Sequence, residues 1–126
     1  MNKQTVSTQN APAAIGPYSQ GIKVGNLIFT SGQIPMNPQS GELIADIEGA
    51  TKQSLDNVKA IIESAGSSMD KIVKTVVFLS NINDYTAMNA VYATYFPSNP
   101  PARSAVQVAR LPKDAVIEIE AIALIE

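Results

Sequence analysis

Two glutamates, two positions apart, interrupt the otherwise apolar segment VIEIEAIAL, residues 116–124. Every odd position from 117 to 123 is Ile or Ala, whereas the even positions from 118 onward hold Glu118, Glu120 and two further apolar residues. Alternate side chains of a strand point to opposite faces of a sheet, so this segment predicts a strand with one wholly apolar face. The other face combines two carboxylates with side chains that water solvates poorly, which predicts that a partner covers it.

Two longer segments have a helical period instead. Apolar residues recur every three or four positions between residues 47 and 65 and again between residues 85 and 96, which predicts two helices with one apolar stripe each. Asp46 is placed to cap the first helix and Gly66 to end it. Pro97 ends the second helix.

The remaining apolar runs are short, rich in β-branched residues and bounded by turn residues, which is typical of strands. They predict five strands, within residues 21–35 (a hairpin with its turn at Gly25–Asn26), 71–80, 102–109 and 115–125. The order strands, helix, strand, helix, strands indicates an α+β domain formed by residues 1–126, a mixed sheet with two helices packed on one face.

The alternation also predicts which side chains share a face. If the helices cover the Ile and Ala residues of the last strand, Glu118 and Glu120 point to the uncovered face. The preceding strand places Arg103 among its polar residues and Val106 among its apolar ones. We therefore expect Arg103 and the two glutamates to share the uncovered face, and a second copy of the chain to cover it.

The composition excludes several kinds of chemistry. The 126 residues are 45% hydrophobic and 16% charged, which suits one globular core. They include no His and no Cys, so a Ser-His-Asp triad, a thiol nucleophile and an ordinary zinc site are excluded, and we expect no metal. Acid–base chemistry near pH 7 then depends on Asp, Glu, Tyr or Lys.

Charge and hydropathy argue against binding to nucleic acid or insertion into a membrane, and they favour the cytoplasm. A net charge of −2 and a pI of about 5.0 give no electrostatic reason to expect nucleic acid. No apolar run approaches the roughly 18 residues that a membrane span needs. The first ten residues have no apolar signal-peptide core. We expect a cytoplasmic protein.

Arg103 and the two glutamates are the first candidates for chemistry. Arg103 follows the rigid pair Pro100–Pro101, and a guanidinium with a fixed base holds a carboxylate through two parallel hydrogen bonds. A structural ion pair with a neighbouring glutamate is the commoner role for such an arginine. Glu118 and Glu120, about 6.5–7 Å apart on one strand face, either pair with basic groups or orient water and relay protons.

Two loops present further candidates. In IGPYSQG, residues 15–21, a Gly-Pro turn presents Tyr18, which either covers the core or reaches into a cleft. In TSGQIP, residues 30–35, a strand ends at Ser31 and Gly32. Gly32 either satisfies turn geometry or lets a ligand approach the backbone closely.

Five stretches together resemble one family over nearly the whole chain. They are APAAIGPYSQ, FTSGQIP, QSLDNVKAIIESAG, VKTVVFL and YFPSNPPARSAVQVARLPKDAVIEIEAIA, of which the last is the most specific. The chain resembles the RidA/YjgF/UK114 family of reactive-intermediate deaminases. The resemblance implies a chorismate-mutase-like α+β fold, a homotrimer whose sheets line a central barrel, and active sites in the clefts between subunits.

The resemblance also implies an activity, the hydrolysis of enamines and imines such as 2-aminoacrylate and 2-iminobutyrate to 2-oxo acids and ammonia, without a cofactor. By residue match, Arg103 clamps the substrate carboxylate and Glu118 is the acid/base that activates water. The remaining implied pocket residues are Tyr18, Ser31, Gly32, Asn89 and Ala105. Ala105 stands where many members have Cys. Since other members vary at this position, the resemblance implies that the cysteine is dispensable for hydrolysis.

Two other functions fit the same residues. A non-catalytic trimer that binds small 2-oxo acids would use the same cleft and Arg103, but such a sensor gains little from an anionic Glu118 nearby. RNA cleavage has been attached to some members of the resembled family, and the acidic pI argues against it here.

Overall fold

The computed structural model describes residues 2–125, which form one six-stranded mixed sheet and two helices. The strands are β1 (Lys3–Val6), β2 (Gly21–Val24), β3 (Leu27–Thr30), β4 (Ile72–Leu79), β5 (Ala102–Gln107) and β6 (Ile117–Leu124). The helices are α1 (Ile47–Ser64) and α2 (Tyr85–Tyr95). The order across the sheet is β1-β2-β3-β6-β4-β5, and β4 and β5 run parallel while the other described pairs are antiparallel.

The predicted helices and the hairpin are confirmed, together with the residues that end them. The side chain of Asp46 accepts a hydrogen bond of 2.8 Å from the Gly49 amide and so caps α1. Gly66 follows α1 with φ +93°, a conformation that glycine adopts without strain. Gly25 has φ +58° in the turn between β2 and β3. Strand β1 was not predicted, because its four residues are mostly polar and exposed.

The hydrophobic core lies between the two helices and one face of the sheet. Val58 and Ile62 of α1 and Ile117 and Ile119 of β6 are fully buried there. The odd-numbered residues of β6 therefore face the helices, as their alternation predicted. Neither helix in the described part of the chain combines the length and the apolar character that crossing a bilayer requires.

The predicted position of Arg103 on the uncovered face is wrong. In the register of the sheet, Thr75 of β4 lies beside both Ala121 of β6 and Arg103 of β5, so Arg103 belongs to the face that the helices cover. Glu118 instead lies beside Phe78, on the opposite face. Alternation along β5 separates its residues into two sets, but it does not say which set faces the helices. The parallel pairing of β5 with β4 determines that.

The face opposite the helices remains partly open in the protomer. Phe29 and Val106 are 38% and 45% exposed there, and Ile122 is half-buried beside the two glutamates. Exposed apolar side chains on a broad sheet face favour an interface with another protein surface.

Candidate functional site

A β-bulge at the end of β3 shapes the surroundings of Glu118. Phe29 pairs with Ile122, and Gln33 pairs with Ile119, so four residue steps on one side match three steps on the other. The extra residue interrupts the ladder of backbone hydrogen bonds. At this point the backbone amide of Ala121 in β6 donates a hydrogen bond of 3.1 Å to the Thr30 hydroxyl.

Gly32 lies in this bulge and is in close contact with Glu118. A Cβ atom at position 32 would lie 2.7 Å from Cδ of Glu118 and 3.0 Å from its Cγ and Oε2. Gly32 is not among the described glycines with positive φ, so turn geometry does not explain it. The glycine makes room for the carboxyl group.

One cleft collects four of the residues that the sequence singled out. It has a volume of about 420 Å³, and its walls include Tyr18, Ser31, Gly32 and Glu118. The remaining walls are Ile15, Ile34, Pro112 and Lys113. The cleft therefore combines one carboxylate and one lysine with apolar or neutral groups.

Glu118 is half-buried and carries no ion pair or hydrogen bond within the described residues. Burial raises the pKa of Glu118, and the negative charge of Glu120 on the same face raises it further. A carboxyl group with a raised pKa, facing a cleft, is suited to exchange protons with a bound molecule.

Arg103 lies in a second cluster on the helix face. Its Nη1 donates a hydrogen bond of 2.7 Å to Oδ1 of Asn89, and its Nη2 donates one of 2.9 Å to the hydroxyl of Tyr85. The guanidinium also lies 4.7 Å from the ring centroid of Tyr92. No described carboxylate is within ion-pair distance of Arg103, so the predicted structural ion pair is wrong within the protomer. Neutral groups hold the arginine, so its positive charge remains available to bind an anion.

The two clusters do not meet in one protomer. Arg103 and Asn89 line the helix-covered face near the edge strand β5, and Glu118 lines the cleft on the other face. Ala105, two residues after Arg103, packs against the core rather than lining the cleft with Glu118.

Comparison with known proteins places the chain and its fold in one family. A family model described as Endoribonuclease L-PSP matches residues 8–125. The chain is 57% identical over 124 residues to 2-iminobutanoate/2-iminopropanoate deaminase of Escherichia coli K12, with 96% of this chain and 97% of that protein covered. The crystal structure of the Escherichia coli YjgF gene product superposes with a TM-score of 0.92 at 56% identity, covering 96% of this chain and 98% of that one. The chain belongs to the RidA/YjgF/UK114 family.

Another solved member of the RidA/YjgF/UK114 family is similar over almost the same span. Escherichia coli TdcF with bound serine has a TM-score of 0.94 and 50% identity, with 98% of this chain and 99% of that chain covered. The mixed sheet with two helices is thus the family's chorismate-mutase-like fold, as the resemblance implied.

Sequence reasoning missed Gln20, which fixes one wall of the cleft in this RidA-family chain. The Gln20 side chain is 4% exposed, and its Nε2 donates hydrogen bonds to the carbonyl oxygens of Thr8, Ala11 and Pro12 at 3.0, 3.2 and 2.8 Å. Its Oε1 accepts a hydrogen bond from the Thr8 amide at 2.7 Å. These bonds tie the segment before Tyr18 to the sheet. In the sequence, the only indication of this role is that Gln20 has an amide side chain and directly precedes a strand.

The sequence predicts a loop between the last two strands, but it does not indicate that this loop carries Lys113 to the rim of the cleft. Lys113 and Asp114 both adopt positive φ, +57° and +56°, which is uncommon for residues other than glycine. Arg110 pairs with Asp114, with Nε 2.6 Å from Oδ1, and this pair supports the turn. Arg110 is therefore paired with Asp114.

Replacing Gly32 by Ala should impair the site without unfolding the protein. The backbone at position 32 is not left-handed and accepts Ala, but the new Cβ displaces the Glu118 carboxyl group. We expect kcat/KM for imine hydrolysis to fall by about tenfold or more, since small misplacement of a reacting group is costly. Thermal unfolding should change little.

The control for this prediction is the same substitution in the Glu118→Gln background. If Gly32→Ala acts through the carboxyl group of Glu118, it should add little further loss there. An equal loss in both backgrounds would show that Gly32 serves another purpose.

Proposed function

We propose that this chain is a 2-iminobutanoate/2-iminopropanoate deaminase, which hydrolyses reactive enamines and imines to 2-oxo acids and ammonia. The half-buried carboxyl group of Glu118, without a partner in the described residues and facing the cleft, carries the proposal. The 57% identity to an Escherichia coli protein of that name supports it. A sensor that only binds carboxylates gains nothing from an anion at this place.

The active site in this proposal forms between two copies of the chain. Arg103 and Glu118 lie on opposite faces of one sheet, so one protomer does not bring both to a single small molecule. A homotrimer in which the open sheet faces meet would bury Phe29 and Ile122 and would bring the edge strand of one subunit to the cleft of the next. Arg103 of one subunit then completes the site that contains Glu118 of its neighbour.

The proposed chemistry needs only these two residues and water. Arg103 binds the substrate carboxylate, which places C2 of the imine near Glu118. An enamine first takes a proton at C3 and loses one from nitrogen, which gives the imine. Water then bonds to C2 while Glu118 takes a proton from that water and passes it to the imine nitrogen, which gives a carbinolamine. Glu118 next moves the hydroxyl proton to the amino group, the C–N bond breaks, ammonia leaves, and the C2 oxygen becomes the carbonyl of the 2-oxo acid.

RNA is not the substrate in this proposal, although the family model is described as an endoribonuclease. The chain has 9 basic and 11 acidic residues, and in the cleft the single Lys113 is balanced by Glu118. Neither the net charge nor the cleft offers the excess of positive charge that binds a phosphodiester backbone.

Direct measurement of hydrolysis tests the proposal. A threonine dehydratase generates 2-aminoacrylate or 2-iminobutyrate in situ, and release of the 2-oxo acid is followed with and without this protein. We expect faster release with the protein for at least one substrate. No acceleration for either one, with retained binding of 2-oxo acids, would favour the binding-module alternative.

Light scattering at micromolar concentration tests the assembly, and we expect the mass of a trimer. Phe29→Asp places a charge on the open sheet face and should shift the protein toward monomer with loss of activity. Ala90→Asp adds the same charge at an exposed position of α2, on the other side of the sheet, and should leave the trimer intact. A stable monomer of the unmodified chain would contradict both the interface and the shared site.

A further inference from the structure

Tyr85, which the helical pattern places in the apolar stripe of α2, contacts the guanidinium of Arg103. Its hydroxyl accepts a hydrogen bond of 2.9 Å from Nη2 of Arg103, and its ring centroid lies 5.5 Å from Cζ. Tyr85 and Asn89 are four residues apart on α2, so both reach the same arginine from adjacent turns. Tyr85 is 38% exposed, so core packing does not explain its position.

The rest of the cluster fixes where the guanidinium lies. Tyr92 stacks against it, and the Tyr92 hydroxyl is 2.6 Å from the Thr75 hydroxyl in the buried layer below. Gln107, four residues after Arg103 on β5, accepts a hydrogen bond of 2.8 Å from the Ile82 amide and ties the start of α2 to that strand. The Tyr92–Thr75 contact and the Gln107–Ile82 hydrogen bond thus hold α2 at a fixed distance from the strand that carries Arg103.

The hydrogen bonds to α2 engage Nη1 and Nη2 of the guanidinium but not Nε. Nη1 faces Oδ1 of Asn89 and, at 4.0 Å, the sulfur of Met88. Nη2 donates one of its two N–H groups to Tyr85. Within the described residues, Nε makes no hydrogen bond of the geometry seen at Asn89 and Tyr85, although the Tyr92 hydroxyl, which bonds to Thr75, also lies close to the guanidinium. In a guanidinium, Nε–H and one N–H of Nη2 point in parallel from the same edge, and this is one of the two edges that bind a carboxylate through two hydrogen bonds.

We propose that Tyr85 is a positioning residue, whose hydroxyl holds Arg103 so that the Nε–Nη2 edge is presented to the carboxylate of the substrate. The inference rests on the proposed function and adds a residue to it. A hydrogen bond from Asn89 and the positive charge of Arg103 both lower the pKa of Tyr85, which agrees with a phenol oxygen that accepts hydrogen bonds. Without the hydroxyl, the guanidinium retains Asn89 and Tyr92 but loses the contact that fixes its rotation.

The test compares Tyr85→Phe with Tyr95→Phe, the same chemical change on the same helix. The Tyr95 hydroxyl bonds to Asp56 at 2.6 Å, away from Arg103. The dissociation constant of 2-oxobutanoate is measured by calorimetry, together with kcat and KM for imine generated in situ. Tyr85→Phe should weaken 2-oxobutanoate binding about 3- to 10-fold, as expected for one lost hydrogen bond. It should raise KM similarly and leave kcat nearly unchanged, while Tyr95→Phe should change none of them.

A double-mutant cycle with Arg103→Lys shows whether Tyr85 acts through the arginine. In the Arg103→Lys background the fork is gone, so Tyr85→Phe should have little further effect on the dissociation constant. Unchanged 2-oxobutanoate binding in Tyr85→Phe, or an equal loss in both backgrounds, would overturn the inference.

The same measurements distinguish failure of the deaminase proposal from failure of the inference about Tyr85. If the unmodified protein binds 2-oxobutanoate but does not accelerate imine hydrolysis, the deaminase proposal fails and the binding measurements still test the role of Tyr85. If it neither binds nor hydrolyses, both proposals fail.

Discussion

Glu118→Gln is expected to lower turnover of 2-iminobutyrate by about 10²- to 10⁴-fold, the usual contribution of a general acid–base group. Gln keeps the shape of the side chain and some of its hydrogen bonding, but it does not carry a proton between water and the imine nitrogen. Binding of 2-oxobutanoate should be unchanged or slightly tighter, because a negative charge near the ligand is removed. Single-turnover kinetics and calorimetry on the same preparation measure the two effects.

Glu120→Gln is the matched control, since it makes the same change two residues away on the same face of β6. Its loss of turnover should be much smaller. Because the charge of Glu120 helps to raise the pKa of Glu118, the substitution should lower that pKa. The acidic limb of the kcat profile should therefore move to lower pH. Equal losses at both positions, or dissociation of the trimer in Glu118→Gln, would point to a structural role for Glu118.

Arg103→Lys should weaken the binding of 2-oxo acids by about 10- to 100-fold, the range expected when charge-assisted hydrogen bonds are lost. Lys keeps the positive charge but lacks the planar pair of N–H donors. It also loses the simultaneous contacts with Asn89 and Tyr85, which the guanidinium reaches with two different nitrogens. Titration of 2-oxobutanoate into each protein measures the change.

Arg110→Lys provides the control, because Arg110 is the only other arginine of the chain and pairs with Asp114 at the surface. It should bind 2-oxobutanoate nearly as well as the unmodified protein. Comparable losses at Arg103 and Arg110 would mean that general positive charge, rather than a carboxylate clamp at Arg103, attracts the ligand.

The secondary structure was predictable because its signals are local. A helix needs an apolar stripe with a cap such as Asp46 and a stop such as Gly66, and both lie within a few residues of the stripe. The hairpin at Gly25 is equally local. Strand β1 lacks such a signal, since its pairing with β2 and not its own pattern makes it a strand.

The site was predictable in part. Tyr18, Ser31, Gly32 and Glu118 were named from the sequence, the last by its alternation and by the family resemblance, and the structure brings them to one cleft. Gln20 was not named, because its importance lies in hydrogen bonds to a segment 8 to 12 residues earlier. The helical pattern placed Tyr85 in the apolar stripe of α2. Its polar contact was not predictable, because its partner is an arginine 18 residues later.

The sequence by itself determined both helices, the strands other than β1, the buried side of β6 and the family, because periodicity and motif spacing are properties of consecutive residues. Only the tertiary structure decided that Arg103 and Glu118 lie on opposite faces. Alternation assigns each strand two faces, and the pairing of strands distant in sequence decides how those faces combine. It likewise decided that Gly32 makes room for the carboxyl group of Glu118, a contact between residues 86 positions apart that no local pattern encodes.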